Sequence, residues 1–244
     1  MGEVKMNYIS NNSDPIITRA DLLAYDEGLR NFMLQVYNYM TVALALSGLT
    51  ALGVYMVPAI SAAIWGTGLK WVVVFLPVVM SLGFAFLFDK MSTQMAKIAL
   101  LVFAVAMGLS LSSIFLIYKM GSIAQVFFIS AATFGGASLY GYTTKKDLTS
   151  FGSFLIMGAI GLMVAGIVNL FLQSSMLAFA ISCIAVLVFT GLTAYDTQNL
   201  KNTYDYTVAE EHEKLGVYGA LQLYLDFINI FVSLLQLLGD RKND

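Results

Sequence analysis

The chain has 244 residues, of which 59% are hydrophobic and 11% charged, where a soluble domain would carry about 25% charged residues. That composition belongs to an integral membrane protein and excludes a soluble globular enzyme or a nucleic-acid-binding domain. The net charge of −2 is small, and a single cysteine, Cys183, rules out an intramolecular disulfide framework and any multi-cysteine zinc site.

The first 30 residues, MGEVKMNYISNNSDPIITRADLLAYDEGLR, are polar and mixed in charge. They lack the basic start, apolar core and small-residue cleavage site of a secretory signal. They read as a cytoplasmic tail over 1–30, ahead of a membrane domain over 31–239 and a short polar tail over 240–244. Seven apolar segments, near 34–57, 71–88, 97–117, 122–141, 154–172, 176–196 and 217–238, come close to or reach the ~20 residues a membrane-spanning helix needs. The expected fold is an all-α, seven-helix membrane bundle. The connections are short apart from a polar one near 197–216.

Pro77 interrupts the second segment, where it is either a hinge or plain packing geometry. Ala131, Gly135, Gly136, Gly158, Gly161 and Ala165 are small residues of the kind that let helices approach closely in lipid. Cys183, inside an apolar run, reads as a small buried core residue.

Lys and Arg favour the cytoplasmic side of a membrane. Lys5, Arg19, Arg30, Lys90, Lys97, Lys145, Lys146, Lys201 and Lys214 fall on one side, and Lys70, Lys119, Arg241 and Lys242 on the other. The preferred topology has the N terminus in the cytoplasm and the C terminus outside. A re-entrant last segment, which would put both termini inside, stays open.

In the last segment Gln222, Asp226, Asn229, Ser233 and Gln236 follow at steps of 4, 3, 4 and 3, which puts them on one helix face. A polar stripe on an apolar spanning helix should face the bundle interior or a water-filled cavity. Asp226 lies in mid-segment, where an ionised carboxylate costs about 2.5–3.5 kcal/mol even on lenient insertion scales. Asp196 ends the sixth segment, with Thr193 one turn before and Asn199 one turn after. If the last two helices are antiparallel neighbours, the two aspartates meet in the cytoplasmic half of the bundle. Such a pair would share a proton and would offer hard oxygen ligands to a divalent cation such as Ca²⁺. Asp205, Glu210, Glu211 and Glu213 in the polar connection are either a cation-concentrating cluster at a pore mouth or a solvated connector.

The stretches GLTAYDTQNLK (191–201) and LYLDFINIF (223–231) resemble the signature helices of the transmembrane Bax inhibitor motif family. KKDLTSFGSFL (145–155), VAGIVNLF (164–171) and DEGLRNFMLQVYNYM (26–40) extend the resemblance over roughly 26–239, the last of them in the manner of bacterial members. The resemblance implies a seven-helix bundle with the last helix at its centre. It also implies a pH-sensitive calcium leak gated by Asp196 and Asp226, with the polar stripe lining the path; eukaryotic relatives suppress cell death. A bacterial member's basic latch to the aspartate pair, at the cytoplasmic end of the second helix, maps near LFDKMSTQMAK. Lys90 then stands where an arginine is expected, without the planar fork that grips a carboxylate, and beside Asp89. The connection between the aspartates is longer than in compact bacterial relatives.

The expected function is therefore a calcium leak channel of a bacterial inner membrane. It would be no enzyme, would hold no resident cofactor, and would have membrane lipid, protons and Ca²⁺ as its partners. A membrane scaffold or regulatory protein without transport is the alternative. An intramembrane aspartyl protease also sets two aspartates on consecutive helices, but it requires GxGD where this chain reads LYLD. It also requires a PAL-like motif, absent from a chain whose only prolines are Pro15, Pro58 and Pro77. The sole histidine, His212, falls in the polar connection, which removes histidine-based chemistry from the membrane.

Overall fold

A computed structural model describes residues 19–206 and 211–242. The elements run α1 (Arg19–Met56), α2 (Pro58–Trp65), α3 (Leu69–Leu87), a 3₁₀ turn (Phe88–Lys90), α4 (Thr93–Leu111), α5 (Ile114–Ile117), α6 (Met120–Thr143), α7 (Thr149–Leu172), α8 (Ser175–Tyr206) and α9 (His212–Leu238). Among the described residues seven helical stretches are long and apolar enough to cross a membrane: α1, α3, α4 continued by α5, α6, α7, α8 and α9. In hydrocarbon every backbone N–H and C=O must find its partner inside the protein, and a helix meets that demand within one segment. No strand occurs among the described residues, only an isolated antiparallel bridge between Tyr118 and Arg241. The protein is an all-α membrane bundle.

Breaks between helices have local causes. Pro58 opens α2 at a position whose N–H would be unpaired in any case. Gly66 to Gly68 separates α2 from α3. Ser92 accepts the Met95 N–H at 3.3 Å and caps α4. Gln173, in the left-handed region at φ 51°, ends α7. Pro77 lies inside α3, which continues through it.

The helix ends differ from those set by hydropathy alone. α1 begins at Arg19, inside the stretch whose composition reads as a tail. α8 does not stop at Asp196 but runs on to Tyr206, and α9 starts at His212, so the polar connection shrinks to a few residues. His212 is thus helical, and its ring stacks on Tyr204 at 4.3 Å. Glu213 is in α9, paired with Lys97 and near the Tyr39 hydroxyl; Glu210 lies outside the described residues. Cys183 is half-buried, because its side of α8 is only partly covered.

α9 is the axis of the bundle and packs against α1, α4, α6 and α8. Over half (56%) of its apolar window is buried, against 6% for α7, which leans mainly on α8. The core around α9 includes Val36, Phe103, Leu223, Tyr224 and Ile230. Tyr224 is wholly buried, and its hydroxyl lies 2.7 Å from Ser47 Oγ, which also reaches the Ala104 carbonyl at 2.8 Å. That network ties α1, α4 and α9 together at a place where an unpaired phenol would be costly. Phe86, Phe171, Met176 and Leu187 stand outward, as lipid-facing residues should.

Small residues allow close approach at other positions than the sequence suggested. Gly135, Gly136 and Gly161 have open space where a Cβ would stand, and at Gly158 it would make ordinary contact with Val188. The tight crossings are at Gly108, where a Cβ would come within 2.6 Å of the Ser47 carbonyl oxygen, and at Gly141 against the Ala194 backbone. Close approach at Gly108 brings Ser47 within reach of α4.

The α6–α7 loop is fastened to α8. Gln198 accepts the Leu148 N–H and donates to the Lys146 carbonyl, both at 2.8 Å. In the same loop Asp147 accepts the Thr149 N–H at 2.9 Å, an Asx turn that leads the chain into α7. The Thr149 side-chain and backbone hydrogen bonds hold the Asp147 carboxyl below its usual value. Its stabilising effect is therefore present above the ordinary carboxylate range and lost as pH falls through the lowered folded value. Asp147→Ala is expected to lower the thermal midpoint in detergent at neutral pH, with mutant and parent converging in strong acid. A gap that persisted in acid would show that the carboxylate charge is not what stabilises this end.

Candidate functional site

Asp196 and Asp226 reach each other from adjacent antiparallel helices. Their side chains are within hydrogen-bonding contact, and the Thr193 hydroxyl flanks Asp226. Both are buried, at 8% and 4% exposure. Asp196 lies ten residues inside α8 and is thus no solvated helix cap. Thr193 directs its proton to the Phe189 carbonyl at 2.8 Å, and Asp226 Oδ2 meets no hydrogen-bond donor. Two touching carboxyls in such a place repel each other when both are ionised.

The pair opens into a cavity of about 570 Å³. Gln222, Asp226, Asn229, Ser233 and Gln236, the stripe of α9, all line it, together with Asp196 and Ser182 of α8. Its side walls are α3, through Pro77 and Ser81, and α7, through Ala159 and Leu162. α3 is held chiefly by α4 and α7 by α8, so the cavity sits between two peripheral helices with α8 and α9 at its back. Asn229 donates to the Leu225 carbonyl at 2.8 Å, which leaves its own amide oxygen as an acceptor. The chemistry on offer is two carboxyls and several neutral oxygens. Among the described residues no third carboxylate, histidine or cysteine joins them in a cluster.

A family model described as inhibitor of apoptosis-promoting Bax1 matches residues 29–243. The chain belongs to this Bax inhibitor-like family. An uncharacterized protein of Rickettsia prowazekii is 47% identical over 220 residues, covering 90% of this chain and 93% of the relative. A Caulobacter vibrioides protein is 46% identical over 238 residues, 92% and 94% of the two chains. The inner membrane protein YbhL of Escherichia coli is 40% identical over 223 residues, 88% and 94% of the two.

As a Bax inhibitor-like protein, the chain places Lys90 in the 3₁₀ turn after α3, exposed and joined by no ion pair to either aspartate. At that end Lys214 is the better-anchored cation, donating to the Asp89 carbonyl at 3.1 Å and lying 4.9 Å from the Phe88 ring centroid. A polar chain that the motifs did not suggest backs the Asp196 turn. Tyr37 Oη lies 2.5 Å from Ser138 Oγ, which lies 3.1 Å from Thr197 Oγ1. Ser182 was also unforeseen, although its spacing is legible: Ser182, Phe189, Thr193 and Asp196 lie at steps of 7, 4 and 3 along one face of α8.

Proposed function

We propose that this protein is a pH-sensitive calcium leak channel of a bacterial inner membrane, with the N-terminal end of α1 on the cytoplasmic side. The observation that carries the reading is the buried contact between Asp196 and Asp226 at the edge of a cavity lined by the polar face of α9. Protons and Ca²⁺ compete for one pair of carboxyls. Each change in the pair's charge alters how strongly α8 and α9 attract or repel each other.

The family, the relative named an inner membrane protein, and the excess of Lys and Arg at the N-terminal end of the bundle support this reading. The role is conduction and not catalysis, with no resident cofactor, and Ca²⁺ is cargo. Purified protein in dye-loaded liposomes should admit Ca²⁺ at a rate that changes between about pH 6 and pH 8, the range over which coupled buried carboxyls can titrate. Liposomes that admit no more Ca²⁺ than protein-free ones at any pH would leave a membrane protein without transport.

A further inference from the structure

The aspartate cavity does not end at the C-terminal part of α9. A second cavity, of about 840 Å³, lies at the opposite face of the bundle from Tyr204 and His212. It is lined by Asn169 and Ser175 at the α7–α8 turn and by Arg241 of the tail. Ile181, Ser182 and Gln236 line both cavities. At that shared wall Ser182 Oγ donates to Gln236 Oε1 at 2.6 Å, directly across from α8 to α9. Gln236 is ten residues beyond Asp226, or about 15 Å along the helix.

We propose that Ser182 and Gln236 form an outer constriction on the cation path, separating a vestibule on the C-terminal face from the aspartate chamber. This rests on the leak-channel reading above and gives it an entrance. Beside the Arg241 guanidinium, which repels cations, the vestibule offers the amide and hydroxyl oxygens of Asn169 and Ser175, able to replace part of a cation's water shell. The pinch joins two side chains, not two backbones, so a change of rotamer opens it while the helices stay in place.

The tail holds the end of α9 in position beside it. Lys119 N donates to the Asp240 carbonyl, and Lys242 N to the Ile117 carbonyl, both at 2.9 Å. Lys242 Nζ also donates to the Phe115 carbonyl at 2.7 Å and to Tyr55 Oη at 3.1 Å. With α9 pinned on this side, Gln236 faces Ser182 as a fixed partner.

The test reads passage between the chambers without relying on calcium. In a Cys183→Ser background, Asn229→Cys places one thiol in the aspartate chamber and, in a separate protein, Asn169→Cys places one in the vestibule. A membrane-impermeant methanethiosulfonate reagent is added from the C-terminal face of oriented proteoliposomes. Asn169→Cys should label readily and Asn229→Cys slowly. Adding Gln236→Ala should speed labelling of Asn229→Cys by roughly three- to tenfold, the change in an opening equilibrium that loss of one hydrogen bond gives. Ser182→Ala should act in the same direction, and Ca²⁺ entry should rise in parallel.

Unchanged labelling of Asn229→Cys in both variants would overturn the constriction, as would failure of Asn169→Cys to react from that side. If no variant conducts Ca²⁺ yet labelling still accelerates, the channel reading falls while the Ser182–Gln236 barrier between the two chambers stands.

Discussion

Asp226→Asn is expected to fold normally and to remove the pH dependence of calcium entry. Wild-type flux should change by up to about tenfold per pH unit near the titration of the pair, since a one-unit shift in protonation corresponds to a tenfold change in populations. In the mutant the profile should be flat within about twofold over the same range. On the proposed reading, the pair is held by a proton that comes and goes. Asparagine keeps the shape of the side chain and supplies a permanent N–H donor to Asp196, so the contact survives without a titration. The fold should tolerate the change, because replacing a buried carboxyl by a neutral isostere removes a desolvation cost and adds no volume. Thermal unfolding in detergent checks that half, and proteoliposome flux checks the other. A stable mutant that kept the full wild-type profile would move the pH sensor away from the α8–α9 contact.

Asp196→Asn should act on the same profile but with a different structural background. Asp196 lies at the interior end of the α8 segment that Gln198 fastens to the α6–α7 loop and that Thr197 joins to Ser138. Asp226 sits on α9 with apolar neighbours, Phe227 and Leu225 beside it and Tyr224 wholly buried. Motion after a change in the pair's charge should therefore fall mainly on side chains facing the cavity, where α3 and α7 are loosely supported, and less on α8 itself.

The bundle was legible because each span carries a long apolar run, and lipid leaves helices as the way to satisfy such a backbone. Helix ends were not legible in the same way. Hydropathy falls after Asp196, yet α8 continues through QNLKNTYDY. Leu200, at 2% exposure, packs on Gly219 of α9 there, while polar residues occupy the outer side. A segment that is apolar on one face only looks like a linker to a window average. The α9 stripe could be read from its spacing, since polar residues in an apolar helix stand out. The walls of the cavity could not: Ala159 and Leu162 of α7 look no different in sequence from lipid-facing Phe171. The same limit applies to glycines, whose count says nothing about which of them meets a neighbouring backbone.

Gly141→Ala carries the largest expected effect on stability. A Cβ at this position would stand 2.8 Å from the Ala194 carbonyl carbon and 2.9 Å from its Cα. Both parties are helical backbone, so neither can rotate aside, and α6 and α8 would have to separate. Overpacking in a tight core costs about 1–3 kcal/mol, and a clash against backbone belongs at the top of that range or above. Gly135→Ala, on the same helix, meets nothing within 4 Å and should leave the midpoint unchanged or raise it slightly, because alanine is favoured over glycine in a helix by about 1 kcal/mol. The two mutants add the same methyl group to the same helix and differ only in what it meets, so helix propensity and added volume cancel in the comparison. Ala194 is two residues before Asp196, so any Gly141→Ala protein that still folds should also show altered calcium entry as α8 is displaced. Equal thermal midpoints for the two mutants would mean that α6 and α8 do not cross in backbone contact at Gly141, and the placement of Asp196 that depends on that crossing would fall with it.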